Sequence, residues 1–535
     1  MDIWLHLDTH GITQQQWETV WDECCEVLEY FPVPLASFFV EEKWGTKCWV
    51  LKPQIKHSEG DKAFICINTD MASLVVGESY ILKRNINEYH ASTKYRDILW
   101  KDEKEIDHHY GRMNIWENKT GGAPYALAVL ALGILIENRF PNNCFMNGYY
   151  DESQVENMCA WLAGVLKTNV RLPVCNDPKR LWKRIQPLYP DINLMIRRFC
   201  GLANVSKKQC YEFLITQGYG EALQDCLINQ MSRYSSVDQW GVTDMLFPYL
   251  EATNDVEHVA LLVKQVHEKN GKEGFSLETL LESLLYQGVT INPMQSEIVK
   301  KWNETGDRLE TSVEELNRLI LRMGGLPNRI NFYISPDNLL EIFGCMEPVN
   351  GVKFQKIINR ETKKRMKEYQ KMADFSDKMV EQLSNTDEPP PSNKTEIMSC
   401  WVRRRYLPFE DYILREVEEQ VKTFRDIEKV THSIAEQLGK VMKMYDDTYG
   451  TPYKPKSREK ALKDLSSLIN ERGFVLREIT WETIGNEPDL DILTMLILYA
   501  GVRESEKKRF DLRSYVFETP ALWPAMRDTF LKAAK

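Results

Sequence analysis

Hydrophobic and polar positions alternate from the first residues. Ile3, Leu5 and Leu7 are interleaved with Trp4, His6 and Asp8, the two-residue period of a half-buried strand. Gly11 breaks the pattern. Thr13-x-x-Gln16 then reads as a capping box opening a helix, with Trp17, Val20, Trp21, Cys24 and Leu28 on one stripe. Phe31-Pro32-Val33-Pro34 ends it, because proline lacks the amide that a helix needs. Short strand-like runs follow at Leu35–Val40, Cys48–Leu51, Ala63–Ile67 and Ser79–Leu82. Ala123–Ile136 is apolar on every face, which predicts a helix buried in a core. It is shorter than the roughly 18 residues a bilayer span requires. Cys144-Phe145-Met146 predicts a strand, and Ser153-x-x-Glu156 a second capping box whose helix runs to about residue 167. Val170–Pro173 is expected to be the next strand. Residues 1–175 therefore read as a mixed α/β domain.

The period then changes to that of helices. Residues 176–325 carry three apolar-periodic segments, Val237–Leu250, Val256–Val266 and Leu277–Leu285, which begin 19 and 21 residues apart. That spacing suits either an irregular bundle or an array of stacked αα-hairpins. Residues 326–384 are expected to hold a short strand at Asn331–Ile334 and a helix capped by Ser335 with Pro336 at its first position. A long helix over about 353–383 follows them. Residues 385–394 form a Pro-rich linker, since Pro and small polar residues cannot build a core. Residues 395–535 read as mainly helical: a long helix over about 409–445, a strand at Phe474–Ile479, a buried helix at Asp489–Ala500 and a closing helix after Thr519-Pro520. The fold class expected is α+β, a mixed N-terminal domain followed by a predominantly helical body.

Composition narrows the class of protein. With 535 residues, 43% of them hydrophobic and 27% charged, the chain is long enough for several cores and too polar for a polytopic membrane protein. The net charge of −10 argues against a binder that uses its whole surface to hold nucleic acid. The twelve cysteines are spread unevenly, with none after Cys400, and several lie inside apolar helical patterns. That spacing fits buried free thiols and a cytoplasmic protein. Met1–Asp8 has no basic, apolar leader pattern.

Candidate chemistry is sparse. Asp107, His108 and His109 are the densest set of potential metal ligands, with Asp102, Glu103 and Glu105 just before them. Adjacent histidines on a regular element point apart, so a charged loop explains the cluster as well. Gly121-Gly122-Ala123-Pro124 precedes the buried helix but lacks the Lys-Ser/Thr of a phosphate loop. Ser457-x-x-Lys460 matches one acylase element without its companions, and reads better as a helix cap. Cys24 and Cys25 are neighbours on a helix and have no basic group nearby to form a thiolate.

The local charge is more informative than the average. Between residues 353 and 371 there are eight basic side chains, including Lys363, Lys364 and Arg365, against two acidic ones. Trp401, Arg403, Arg404 and Arg405 follow the linker. Cations interleaved with aromatics suit an acidic partner or a phosphate backbone. The reading is a non-catalytic, cytoplasmic protein-binding protein: an adaptor, inhibitor or immunity-type partner working through a helical surface. It needs no cofactor and no membrane. The alternatives are a metal-dependent hydrolase built on Asp107, His108 and His109, and a nucleic-acid binder built on the basic helix and the Arg triplet. No catalytic residue is assigned.

Overall fold

The computed structural model describes residues 2–71, 76–91, 97–100, 114–120, 124–291, 332–384, 427–450, 454–472, 475–501 and 516–535. The protein is α+β. The described residues fall into two compact units. One takes residues up to Ile98, then 114–173, and the C-terminal part from residue 427. The other takes Leu99 and Trp100 with the described residues between Val174 and Ser384.

The first unit starts as the alternation predicts. Strand β1 (Asp2–Leu7) buries Ile3, Leu5 and Leu7. Helix α1 (Gln14–Tyr30) opens on the expected capping box. The Gln16 amide donates to Thr13 Oγ1 at 3.3 Å, and the Thr13 amide donates to Gln16 Oε1 at 2.9 Å. Strands β2 (Leu35–Lys43), β3 (Thr46–Lys52), β4 (Lys56–His57), β5 (Phe64–Ile67), β6 (Thr69–Asp70), β7 (Tyr80–Lys83) and β8 (Asn114–Lys119) follow. Trp17 and Trp21 on α1 donate their indole N–H groups to the Lys83 and Leu82 carbonyls of β7, at 3.0 and 3.3 Å. A large apolar body with one polar tip thus fixes the helix on the sheet.

Helix α2 (Ala126–Arg139) is buried from Ala126 through Glu137, in keeping with its all-round apolar pattern. Its one buried carboxylate has a definite job. Glu137 Oε2 accepts the Met146 backbone N–H at 2.8 Å, fastening the helix to β9 (Cys144–Tyr149). Strand β1 lies between β8 and β9 and is antiparallel to both. Helix α3 (Glu152–Leu166) is capped two residues earlier than expected: Asp151 is the N-cap, and Gln154 Oε1 accepts its backbone N–H at 3.1 Å. The carboxylate of Asp151 stands one position outside the helix, where Ser153 is already helical. The expected strand at 170–173 is irregular chain instead. The Arg171 backbone is paired with a side chain rather than with a strand: its N–H donates to Asn138 Oδ1 and its carbonyl accepts from Asn138 Nδ2, both at 2.9 Å.

The second unit is helical: α4 (Pro178–Ile185), α5 (Ile192–Leu202), α6 (Lys207–Thr216), α7 (Gly220–Met231), α8 (Trp240–Thr253), α9 (Val256–Asn270), α10 (Leu277–Tyr286), α11 (Pro336–Met346) and α12 (Gly351–Ser384). Through its first part each helix packs on the one two places along, α5 on α7, α6 on α8 and α7 on α9. Trp182 on α4 anchors this start, with ring centroids 5.3 Å from Phe199 and 4.9 Å from Tyr219. Ser335 caps α11 with Pro336 at its first position, as predicted. The strand expected at 331–334 is absent over its described residues 332–334, which are irregular. The Ile334 amide instead donates to the Val289 carbonyl at 2.9 Å.

The chain then returns to the first unit with α13 (Ile427–Tyr449), α14 (Arg458–Glu471), β10 (Val475–Arg477), α15 (Glu478–Asn486), α16 (Leu490–Gly501) and α17 (Trp523–Ala533). Strand β10 pairs parallel to β3, Leu476 opposite Val50, and extends the sheet to the order β10-β3-β2-β6. The pleat of β3 serves two cores at once. Cys48 and Val50 join the apolar core of the C-terminal helices, while Leu51 faces Ala36 and Met71.

Candidate functional site

Asp107, His108, His109, Trp401, Arg403, Arg404 and Arg405 lie outside the described residues, as do Gly121–Ala123. Among the described residues, no group of three His, Cys, Asp or Glu side chains is placed to hold a metal ion. The eleven described cysteines are free thiols, and all but Cys200 and Cys345 are buried. Ser457 caps α14, its hydroxyl accepting the Lys460 amide at 3.2 Å, and Lys460 is ion-paired to Asp464 at 2.7 Å. The Ser-x-x-Lys match is a helix start.

The basic helix is α12, and its two faces differ in chemistry. Phe354, Ile357 and Ile358 are buried, with Phe354 edge-on to Phe343 of α11 at 5.7 Å. Along one flank the cations are matched by acids. Lys353 pairs with Glu278 and Arg360 with Glu282 at 3.4 Å, both acids one turn apart on α10. Arg360 and Lys364 also reach Glu361, at 2.6 and 3.9 Å. Arg365 turns inward. It is 7% exposed, its guanidinium lies 4.0 Å from the Tyr286 ring centroid, and Nη1 donates to Glu368 at 2.8 Å. Its charge belongs to the packing of α12 on α10.

The solvent face carries the rest. Lys356, Lys363, Lys367 and Lys371 are exposed and make no ion pair among the described residues. Steps of seven and four keep them on one side of a 3.6-residue helix, over a length of about 22 Å. Val352 and Met366 share that side, 71% and 50% exposed. The surface is therefore cationic and aliphatic at once. Sequence reading found the charge excess but not which lysines remain uncommitted, because the neutralising acids come from α10.

One contact was not visible in any motif. Ser37 Oγ lies 2.7 Å from His57 Nε2, within reach of a nucleophile–base pair. The proton inventory decides against that role. Ser37 is fully buried, and its hydroxyl also lies 2.7 Å from the Gln54 carbonyl, which can only accept. The single hydroxyl proton goes to Gln54, so Nε2–H of His57 donates to Oγ. The imidazole is a donor sandwiched between Phe39 and Phe64, at ring distances of 4.5 and 4.8 Å. Burial lowers its pKa below the ordinary histidine value. The folded state therefore resists a proton that the unfolded chain accepts near pH ~6.5. Stability of the first unit is expected to be full above that pH and to decline as pH falls through it toward the depressed native value. Urea midpoints measured from pH 8 to 5 should show this slope, and His57→Phe should flatten it.

Comparison of the whole chain with protein-family models, with curated proteins and with solved structures finds no match.

Proposed function

We propose that this is a non-catalytic binding protein whose α12 face receives an acidic, partly apolar segment of a protein partner. It is proposed to work in the cytoplasm, where its buried free thiols stay reduced. The observation that carries the reading is the row Lys356, Lys363, Lys367 and Lys371 beside exposed Val352 and Met366. Exposed lysines steer an acidic partner and set its register. The aliphatic side chains favour protein over nucleic acid, because a phosphate backbone gains little from them, whereas the apolar face of a helical peptide gains by burying them. No described helix is long and apolar enough to cross a membrane.

The test uses fluorescence anisotropy with two probes, a synthetic Glu/Leu amphipathic helix and a duplex DNA of similar charge. The peptide is expected to bind at ~0.15 M salt, where screening has removed weak non-specific attraction. Combined Lys356→Glu, Lys363→Glu, Lys367→Glu and Lys371→Glu changes should weaken it by at least ~10-fold, or about 1.4 kcal/mol. These are exposed positions, so thermal unfolding should be nearly unchanged. Tight duplex binding with a steep salt slope and no peptide binding would replace the proposal with the nucleic-acid reading.

A further inference from the structure

The two sides of α13 differ in how much of their pattern the first unit uses. Its inner side is packed. Ala435 and Leu438 are buried in the C-terminal core, and Gly439 lets the Phe530 carbonyl and Ala533 of α17 approach closely. On the outer side Gln437, Val441, Met444 and Thr448 are all exposed, Val441 at 54% and Met444 at 69%. Their steps of four, three and four residues are the spacing of a coiled-coil seam, the row that one helix presents to another. The outer side of a surface helix is ordinarily charged or polar. Here the centre of the seam is aliphatic and only its two ends are polar.

The charges beside the seam select what covers it. Lys440 and Asp447 are seven residues apart and so lie on one flank of the seam. Turning a second α13 end for end about the midpoint of Val441 and Met444 sets Val441 against Met444, and Gln437 against Thr448, twice each. The same rotation sets Lys440 beside Asp447 of the second copy, again twice. A parallel pair gives no such match, because Val441 meets Val441 and Lys440 meets Tyr445. Asp447 makes no ion pair among the described residues. Lys440 pairs with Glu436 of its own helix at 2.6 Å, the two side chains being 63% and 50% exposed. An exposed pair of this kind is weak, and the ammonium keeps donors for a second carboxylate. We infer that the outer seam of α13 is covered by α13 of a second copy of this chain, antiparallel to the first, in a two-fold symmetric dimer. Such a contact uses the same patch on both copies, as a two-fold axis requires. The contact covers only about three helical turns of each copy, so the dimer is weak, with a Kd of about 10–100 µM. This surface belongs to the first unit and does not depend on the role of α12.

Sedimentation equilibrium of the full chain from about 1 to 300 µM tests this, and a passage from monomer to dimer is expected within that range. Lys440→Asp alone and Asp447→Lys alone each set like charges against each other, and each should weaken the dimer by about tenfold or more. Mixed in equal amounts, the two variants should pair with each other within about threefold of the original strength, because acid then meets base at both contacts. Met444→Ser should weaken the dimer by about tenfold or more, through loss of the aliphatic centre. All three positions are exposed, so melting followed by circular dichroism should be nearly unchanged. A monomer at every concentration would mean that another chain, or solvent alone, covers the seam, and would overturn the inference. So would a dimer that either charge reversal leaves unchanged, or two charge variants that stay apart when mixed.

Discussion

Glu518→Ala is expected to cost the first unit about 3–5 kcal/mol, the range for removing one partner of a buried ion pair. The Glu518 side chain is 3% exposed and accepts from three groups of the β10–α15 corner. Oε1 accepts the Arg477 backbone N–H at 2.7 Å. Oε2 accepts from Arg477 Nε and, at 2.6 Å, from the Thr480 hydroxyl. The Glu518 carbonyl accepts Arg477 Nη2 at 3.0 Å. Arg477 is also the N-cap of α15 and has no capping side chain of its own. A carboxylate distant in sequence thus satisfies the start of this helix, and its charge is favourable at the positive end of the helix dipole. Alanine would remove the carboxylate from beside the Arg477 guanidinium, which keeps its bond to the residue 518 carbonyl, and would leave the Thr480 hydroxyl and the Arg477 backbone N–H without the acceptor they have here. Glu518→Gln keeps the shape and an acceptor but loses the charge, so its cost should be smaller. Hydrogen exchange of peptides spanning 475–486 separates the outcomes: faster exchange there than in α1 is expected for Glu518→Ala, and equal protection would refute the clamp.

Gly148→Ala is expected to destabilise the β8-β1-β9 sheet by roughly 2–4 kcal/mol, from backbone strain and steric overlap together. Gly148 has φ +153° and pairs with Ile3 in the β1–β9 register. A Cβ there would sit 2.1 Å from the Asp2 carbonyl oxygen and 3.1 Å from Ile3 Cα. Both are strand backbone and cannot swing aside as a flexible side chain would. Gly11→Ala is the control. It has φ +78°, also unfavourable for alanine, but nothing lies within 4 Å of its added Cβ. Urea unfolding should show Gly148→Ala costing clearly more than Gly11→Ala. Equal losses would mean that φ alone matters and the close approach of β1 does not.

What was legible in the sequence was local. The Thr13/Gln16 cap, the all-apolar α2, the Ser335-Pro336 start and the length of α12 follow from spacing and capping chemistry, because each involves residues within a turn or two of one another. The misplaced cap at Ser153 and the strand expected at 170–173 fail for a related reason. Competing local signals are settled by one hydrogen bond, from Asp151 in the first case and Asn138 in the second. Of the basic helix, composition showed an excess of cations. It could not show that Arg365 stacks on Tyr286 or that Glu278 and Glu282 engage its neighbours. The packing of α5 on α7 was invisible, since Asn193 and Cys226 are distant along the chain and meet only in the folded protein.

The sequence by itself determined the α+β class, the core helices and the reversal of charge along α12, because periodicity and charge are properties of neighbouring residues. The tertiary structure decided which lysines stay exposed and which helices pack on one another. It also decided that residues 475–477 return to β3 and are held there by Glu518. Each of those outcomes depends on a hydrogen bond, ion pair or packed face between segments far apart in the chain, and such pairings are selected by the geometry of the whole fold.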